Sequence, residues 1–226
     1  MPDTDGFSLP PEQLRVLGAL VEKQLTTPQQ YPLTLNALTL ACNQTSNRHP
    51  VVAYDESTTE LAVRTLKQRG LTRFVHPVHG RSVLRYEHLL GDVLGVDRRQ
   101  LAVLAVLLLR GPQTIGELRS RTERMVEFDD LAGVEHELDL LEHQAGGLVV
   151  SVPRRPGQKE GRFAHRLGDD DPTVAAEVAD SDGGQTPEVG AVEKWAAIET
   201  LQQEVMDLRA QLDEVRTGLG LDGGDD

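Results

Sequence analysis

Leu66-Lys67-Gln68-Arg69-Gly70-Leu71, then Val75, a turn at His79-Gly80-Arg81 and the pair Arg85-Tyr86, close a local plan that the chain carries out twice. The second closure is Leu141 through Gly147-Leu148, then Val150 and Val152, the turn Pro156-Gly157-Gln158-Lys159, and Arg162-Phe163. In both, a Gly-Leu step ends a helix and starts a strand, a basic turn follows, and a second strand ends in an aromatic. Three short amphipathic helices precede each closure. Three helices and a β-ribbon make the winged-helix plan, a helix-turn-helix with a hairpin wing. The expected fold class is mainly α with small β-wings: two tandem winged-helix domains and a C-terminal coiled-coil helix.

Working outward, the first helix runs from about Pro11 to Leu25, with Leu14, Leu17, Val21 and Leu25 on one stripe. A second helix turns Leu35, Leu38 and Cys42 inward, and a polar loop runs from Asn43 to Val51. Ser57-x-x-Glu60 reads as a capping box for a third helix ending at Gly70, with Leu61, Ala62, Thr65 and Leu66 inward. In the second copy, Leu101, Leu104, Ala105 and Leu108 mark the first helix, ended by Gly111-Pro112. Thr114-x-x-Glu117 caps a helix through about Arg124, and Asp129-Asp130 caps a third with Leu131, Val134, Leu138 and Leu141 inward. Domains of this size bury modest cores, so the copies are expected to pack on each other or on a second chain.

The expected organisation is a disordered N-terminus (1–8), winged-helix domains at 9–90 and 91–168, an acidic disordered linker (169–190), a coiled-coil helix (191–220) and a disordered tail (221–226). Ile198, Leu201, Val205, Leu208, Leu212, Val215 and Leu219 form the heptad seam that suggests a homodimer. A lone helix docking on its own domain fits that seam as well.

Cys42 is the single cysteine among 226 residues, so an internal disulfide is excluded and a reducing compartment fits. The acidic start, Met1-Pro2-Asp3-Thr4-Asp5, has no basic region of a signal peptide. The apolar run Leu101 to Leu109 is too short for a bilayer. A cytoplasmic protein with no membrane partner is expected. The net charge of −13 arises entirely from residues 168–226, which hold 3 Lys/Arg and 16 Asp/Glu. Residues 1–90 hold 9 and 8, and residues 91–167 hold 11 and 12, so both copies are near neutral. Any binding to nucleic acid must therefore use a local basic patch.

Two long strings point to a family. Glu22-Lys23-Gln24-Leu25-Thr26-Thr27-Pro28-Gln29-Gln30-Tyr31-Pro32-Leu33 with Ala41-Cys42-Asn43-Gln44-Thr45-Ser46-Asn47-Arg48, and Leu107 through Arg121 continued by Arg124-Met125-Val126-Glu127-Phe128, resemble the bacterial YceH-like family. The resemblance spans about residues 9 to 168. It implies tandem winged-helix domains in a bacterial cytoplasmic protein, and no catalytic or ligand-binding residues to carry over. Thr45 stands where the family's loop motif usually has a lysine, which removes a charge from the most DNA-like loop.

The candidate nucleic-acid contacts are Asn47 and Arg48 of that loop, Arg64 and Lys67 of the third helix, Arg81 of the first wing, and Arg154, Arg155 and Lys159 of the second. Amides read adenine edges, and guanidinium groups suit guanine or phosphate. The competing reading of Arg64 is an i,i+4 pair with Glu60, and that of Asn43 and Ser46 is turn capping. The second copy's third helix carries Asp129, Asp130, Glu135, Glu137, Asp139 and Glu142, which repel phosphate. No phosphate loop, Gly-x-Ser-x-Gly or His-Glu zinc motif occurs, so neither catalysis nor a cofactor or metal is expected. Cys42, on an inward stripe, reads as a buried small hydrophobe. The expected function is a dimeric DNA-binding, transcription-regulator-like protein acting on double-stranded DNA, with the first domain reading and the second plus the coil assembling. The alternative is a non-catalytic protein-interaction module built on winged-helix folds.

Overall fold

The structure, a computed structural model, describes residues 8–76, 83–144, 147–154 and 159–168. The wing turns at 79–81 and 156–158, the linker and the C-terminal seam lie outside the described residues. So do two of the candidate contacts, Arg81 and Arg155.

The chain is mainly helical with small antiparallel sheets, an arrangement compatible with the winged-helix plan. The first half comprises α1 (Pro11–Thr26), β1 (Leu33–Thr34), α2 (Leu35–Cys42), α3 (Glu56–Gln68), β2 (Thr72–Val75) and β3 (Arg85–His88). A short helix, α4 (Leu90–Leu94), leads into α5 (Arg98–Arg110), α6 (Ile115–Thr122), α7 (Leu131–His143), β4 (Val149–Val152) and β5 (Arg162–His165). β3 is central in its sheet, between β1 and β2, and β4 pairs with β5.

The repetition reaches individual hydrogen bonds. Thr34 caps α2 by accepting from the Ala37 amide, as Thr114 caps α6 by accepting from Glu117. Leu33 pairs with Tyr86, and Gln113 with Phe163. The Leu71 amide donates to Leu66 O and the Leu148 amide to Leu141 O, each at 2.9 Å. Gly70 and Gly147, which make those two steps, have φ of 74° and 56°, a region that side-chain-bearing residues rarely adopt.

One continuous hydrophobic core spans both halves. Its seam is α1 against α5. Every residue from Leu101 to Leu109 is buried, so α5 is enclosed all round rather than along the single stripe that the sequence predicted. A helix that serves its own half on one face and α1 on the other has no solvent face left. At Gly18 the helices approach so closely that a Cβ would lie 2.8 Å from Leu109 Cγ and 3.1 Å from Leu108 Cβ.

Three local expectations are corrected. Asp55, not Ser57, caps α3, accepting from the Thr58 amide at 2.8 Å; the helix already begins at Glu56, which puts Ser57 inside its first turn. The inward stripe of α3 is Thr59, Ala62, Val63 and Leu66, and Leu61 is 69% exposed. The buried positions follow i, i+3, i+4, i+7, so Val63 goes in and Leu61 comes out. On α7, Leu131 is half exposed, whereas Glu137 is buried beside Val134, Leu138 and Leu141. The box at Thr114 and Glu117 forms in full, and Asp130 caps α7.

Candidate nucleic-acid interface

The polar loop after α2 turns inward. Asn43 ties its ends together: Nδ2 donates to Tyr54 O at 2.7 Å, and Oδ1 accepts from the Tyr54 amide at 2.8 Å. Arg48 is buried, with both terminal nitrogens on the Glu22 carboxylate of α1 at 2.6 and 3.1 Å. It also donates to Ala41 O, Gln44 Oε1 and Asn47 O. Asn47, at φ 57°, presents Oδ1 to Arg110 Nη1 of α5, and the His49 amide donates to Leu109 O at 2.8 Å. The expectation that Arg48 is presented to DNA is therefore corrected. A guanidinium enclosed by one carboxylate and three carbonyl or amide oxygens has its donors committed inside. The loop is a staple between the halves.

The electrostatics agree. Burial pushes the Glu22 carboxyl up, but the Arg48 charge and hydrogen bonds outweigh it and hold Glu22 below its usual range. Burial, then the Arg121 and Arg48 charges, push Arg110 down to about 10. Burial drives the Cys42 thiol up to about 12, so it stays protonated.

Helix α3 is where cations remain outside. Its outward stripe is Ser57, Leu61, Arg64 and Gln68, with Lys67 beside it. Arg64 donates Nε and Nη2 to Glu60 Oε1 at 2.9 and 2.6 Å, but the two side chains are 53% and 38% exposed. An exposed i,i+4 pair is weak, so a phosphate or base edge can displace Glu60 at little cost. Lys67 Nζ lies 4.1 Å and Arg64 Cζ 5.8 Å from the centroid of Phe74 on β2. Phe74 is itself set edge-on against Tyr86 of β3, with centroids 5.2 Å apart. Both cations are thus held over Phe74, where α3 packs on β2. Arg73 pairs with Glu87 across the sheet, and Arg69 donates to Ser8 O at 2.9 Å.

In the second half, most cations near α6 serve the fold. Arg162 and Arg121 share Glu117, at 2.6 and 3.4 Å, and Arg119 donates to Phe128 O and Asp129 O. Arg154 and Lys159 are exposed near the second wing. The outward face of α7 carries Glu135, His136, Asp139 and two leucines, Leu131 and Leu140, exposed by 50% and 44%. Among the described residues no group of three His, Cys, Asp or Glu side chains could hold a metal, and no helix is long and apolar enough to cross a membrane.

Sequence reasoning thus missed Glu22 as the partner of Arg48, and Leu61 and Gln68 as members of the exposed face. One signal for Glu22 existed: it sits beside Val21 and Leu25, on a helix whose apolar positions are too many for one narrow stripe.

Residues 9–158 match the model of the family described as "Protein of unknown function, DUF480". Similar relatives include "UPF0502 protein GSU0233" of Geobacter sulfurreducens, 47% identical over 188 residues, covering 83% of this chain and 85% of the relative. "UPF0502 protein Acid345_3645" of Koribacter versatilis is 48% identical over 178 residues, covering 78% and 82%. A "UPF0502 protein" of Hahella chejuensis is 43% identical over 206 residues, covering 88% and 93%. These matches agree with the YceH-like resemblance carried by the two sequence strings.

Proposed function

The chain belongs to the bacterial DUF480 family, and from its surface chemistry we propose that it is a DNA-binding, regulator-like protein whose reader is α3 of the first half. The observation that carries this reading is the outward stripe Ser57-Leu61-Arg64-Gln68, flanked by Lys67 over Phe74. A hydroxyl, an apolar tip for a thymine methyl, a guanidinium for guanine and an amide for adenine are the groups a major groove accepts. The other face of α3 is sealed against α1, α2 and β2, so the stripe is presented on a rigid helix. The second half keeps a supporting role: it fixes α3 through the α1–α5 seam, and its acidic α7 is unsuited to phosphate. Assembly into a dimer through the heptad seam of residues 198–219 is part of the same proposal and rests on sequence pattern alone.

The test is duplex titration of the full chain at low salt. Saturable binding that weakens with salt is expected, and Arg64→Ala and Lys67→Ala should each lower the salt slope by about one. Absence of binding, or binding indifferent to both substitutions, removes α3 as reader. One observation favours a protein-interaction role instead: Leu131 and Leu140 stand exposed on the acidic helix α7. A stoichiometric protein partner displaced by Leu140→Lys, with no duplex binding, would establish that role.

A further inference from the structure

Two arginines are buried near the junction of the halves, and they differ in one respect. Arg48 has its own carboxylate, Glu22. Arg15 of α1 has none: its Nη2 donates to Pro50 O at 2.5 Å and its Nη1 to Cys42 O at 3.5 Å, and both acceptors are neutral carbonyls. No carboxylate lies within 4.0 Å of it among the described residues. A guanidinium has five N–H donors in a planar fork, so most of this one's capacity is unspent. Keeping such a charge from water with no carboxylate in contact is costly, and Glu22 acts on it only from a distance. Burial, followed by repulsion from Arg48, pushes the Arg15 pKa down.

Arg15 lines a cavity of about 250 Å³ between the halves, and among the described residues it is the only Lys, Arg, Asp or Glu in the lining. Leu14 from α1, Val52 from the staple loop and Leu107 and Leu108 from α5 give the cavity apolar walls, and His49, Tyr54 and His165 add polar groups to the lining. A cavity with apolar walls and a few fixed polar groups, one of them charged, is the usual form of a small-molecule site. We propose that this cavity binds a small monocarboxylate with an apolar body, its carboxylate paired with the Arg15 guanidinium. Carboxylate is the anion that matches a planar fork bidentately, and one cation calls for one negative charge. The ligand would touch both halves at once, so its binding stabilises their junction by mass action. This inference is independent of the DNA-binding proposal.

The experiment uses the full chain, with benzoate and octanoate as probes and benzamide as the neutral isostere of benzoate, followed by calorimetry and by ¹H–¹⁵N NMR. Benzoate is expected to bind at least about tenfold tighter than benzamide, the difference made by a charge-assisted pair. Shift changes are expected at Arg15, Tyr54 and Leu108. Arg15→Gln should reduce the benzoate-to-benzamide ratio to about one. Val52→Trp, which fills the cavity from the loop side and leaves Arg15 itself unchanged, should abolish binding while the spectrum stays dispersed. If Arg15→Gln fails to fold, the wild-type ratio and Val52→Trp decide. Equal affinity for acid and amide, shift changes remote from the cavity, or no saturable binding of either carboxylate would overturn the proposal. So would contacts from residues 198–219 already filling the cavity.

Discussion

Replacing Arg48 with alanine removes the central cation of the staple loop, and its cost follows from what Arg48 touches. The side chain makes two bonds to the Glu22 carboxylate and further bonds to Ala41 O, Gln44 Oε1 and Asn47 O. Deleting one member of a buried ion pair costs about 3–5 kcal/mol, because the other charge is left without its partner. Glu22 retains some exposure, and Arg124 still acts on its charge, so the lower end, about 3 kcal/mol, is expected. For a folded region of this size that is a fall in Tm of roughly 6–12 °C. Glu22→Gln with Arg48→Met should cost less than the sum of the single changes. The pair also has a pH signature. Glu22 is held below the ordinary glutamate value of 4.5, so its contribution is present above that pH and is lost as pH falls through the folded value. Arg48→Ala should therefore remove part of the acid sensitivity below pH 4.5. Thermal and urea denaturation from pH 7 to 3 measures both effects. An Arg48→Ala protein within about 0.5 kcal/mol of wild type, yet defective on duplex DNA, would refute the staple and restore Arg48 to the interface.

Other consequences are independent of that pair. Gly18→Leu places a side chain where even a Cβ lies 2.8 Å from Leu109, and should cost about 3 kcal/mol by overpacking, read by urea denaturation. His88 is held neutral, pushed down to about 4 by burial, with Nε2 2.7 Å from Gln24 Oε1. The unfolded chain protonates it near 6.5, so stability should fall between pH 6.5 and about 4, by up to roughly 3 kcal/mol. His88→Gln should flatten the curve in that window. Phe74→Ala removes the ring that steers Lys67 and Arg64, and should weaken duplex binding several-fold with the salt slope unchanged, because the charges remain.

The twofold plan was legible because its signals are local. Gly70 and Gly147 take positive φ at the helix–strand steps, and Thr114 with Glu117 forms its box within one turn. The phase of α3 was not legible: Leu61 and Val63 are both apolar, and only packing against α1 and α2 chooses Val63. Nor was the fate of Arg48. Its partner Glu22 is 26 residues away on α1, and nothing in a polar loop's own composition says whether it faces water or a neighbouring helix. The enclosure of α5 was visible only as nine consecutive apolar residues, which fit one wet face until α1 is found covering it. The candidate interface consequently shrinks, in the first half, from a loop-plus-helix patch to the α3 stripe and the cations over Phe74.

Placing a benzoylphenylalanine photo-crosslinker at position 61, in the middle of that stripe, asks directly what α3 touches. Irradiation of the full chain with duplex DNA at low salt should give a covalent protein–DNA product, reduced by Arg64→Ala and absent when the crosslinker sits at exposed Leu131 on α7. A crosslink from position 61 only to protein, or a stronger DNA crosslink from position 131, would contradict the assignment of α3 as the reading helix.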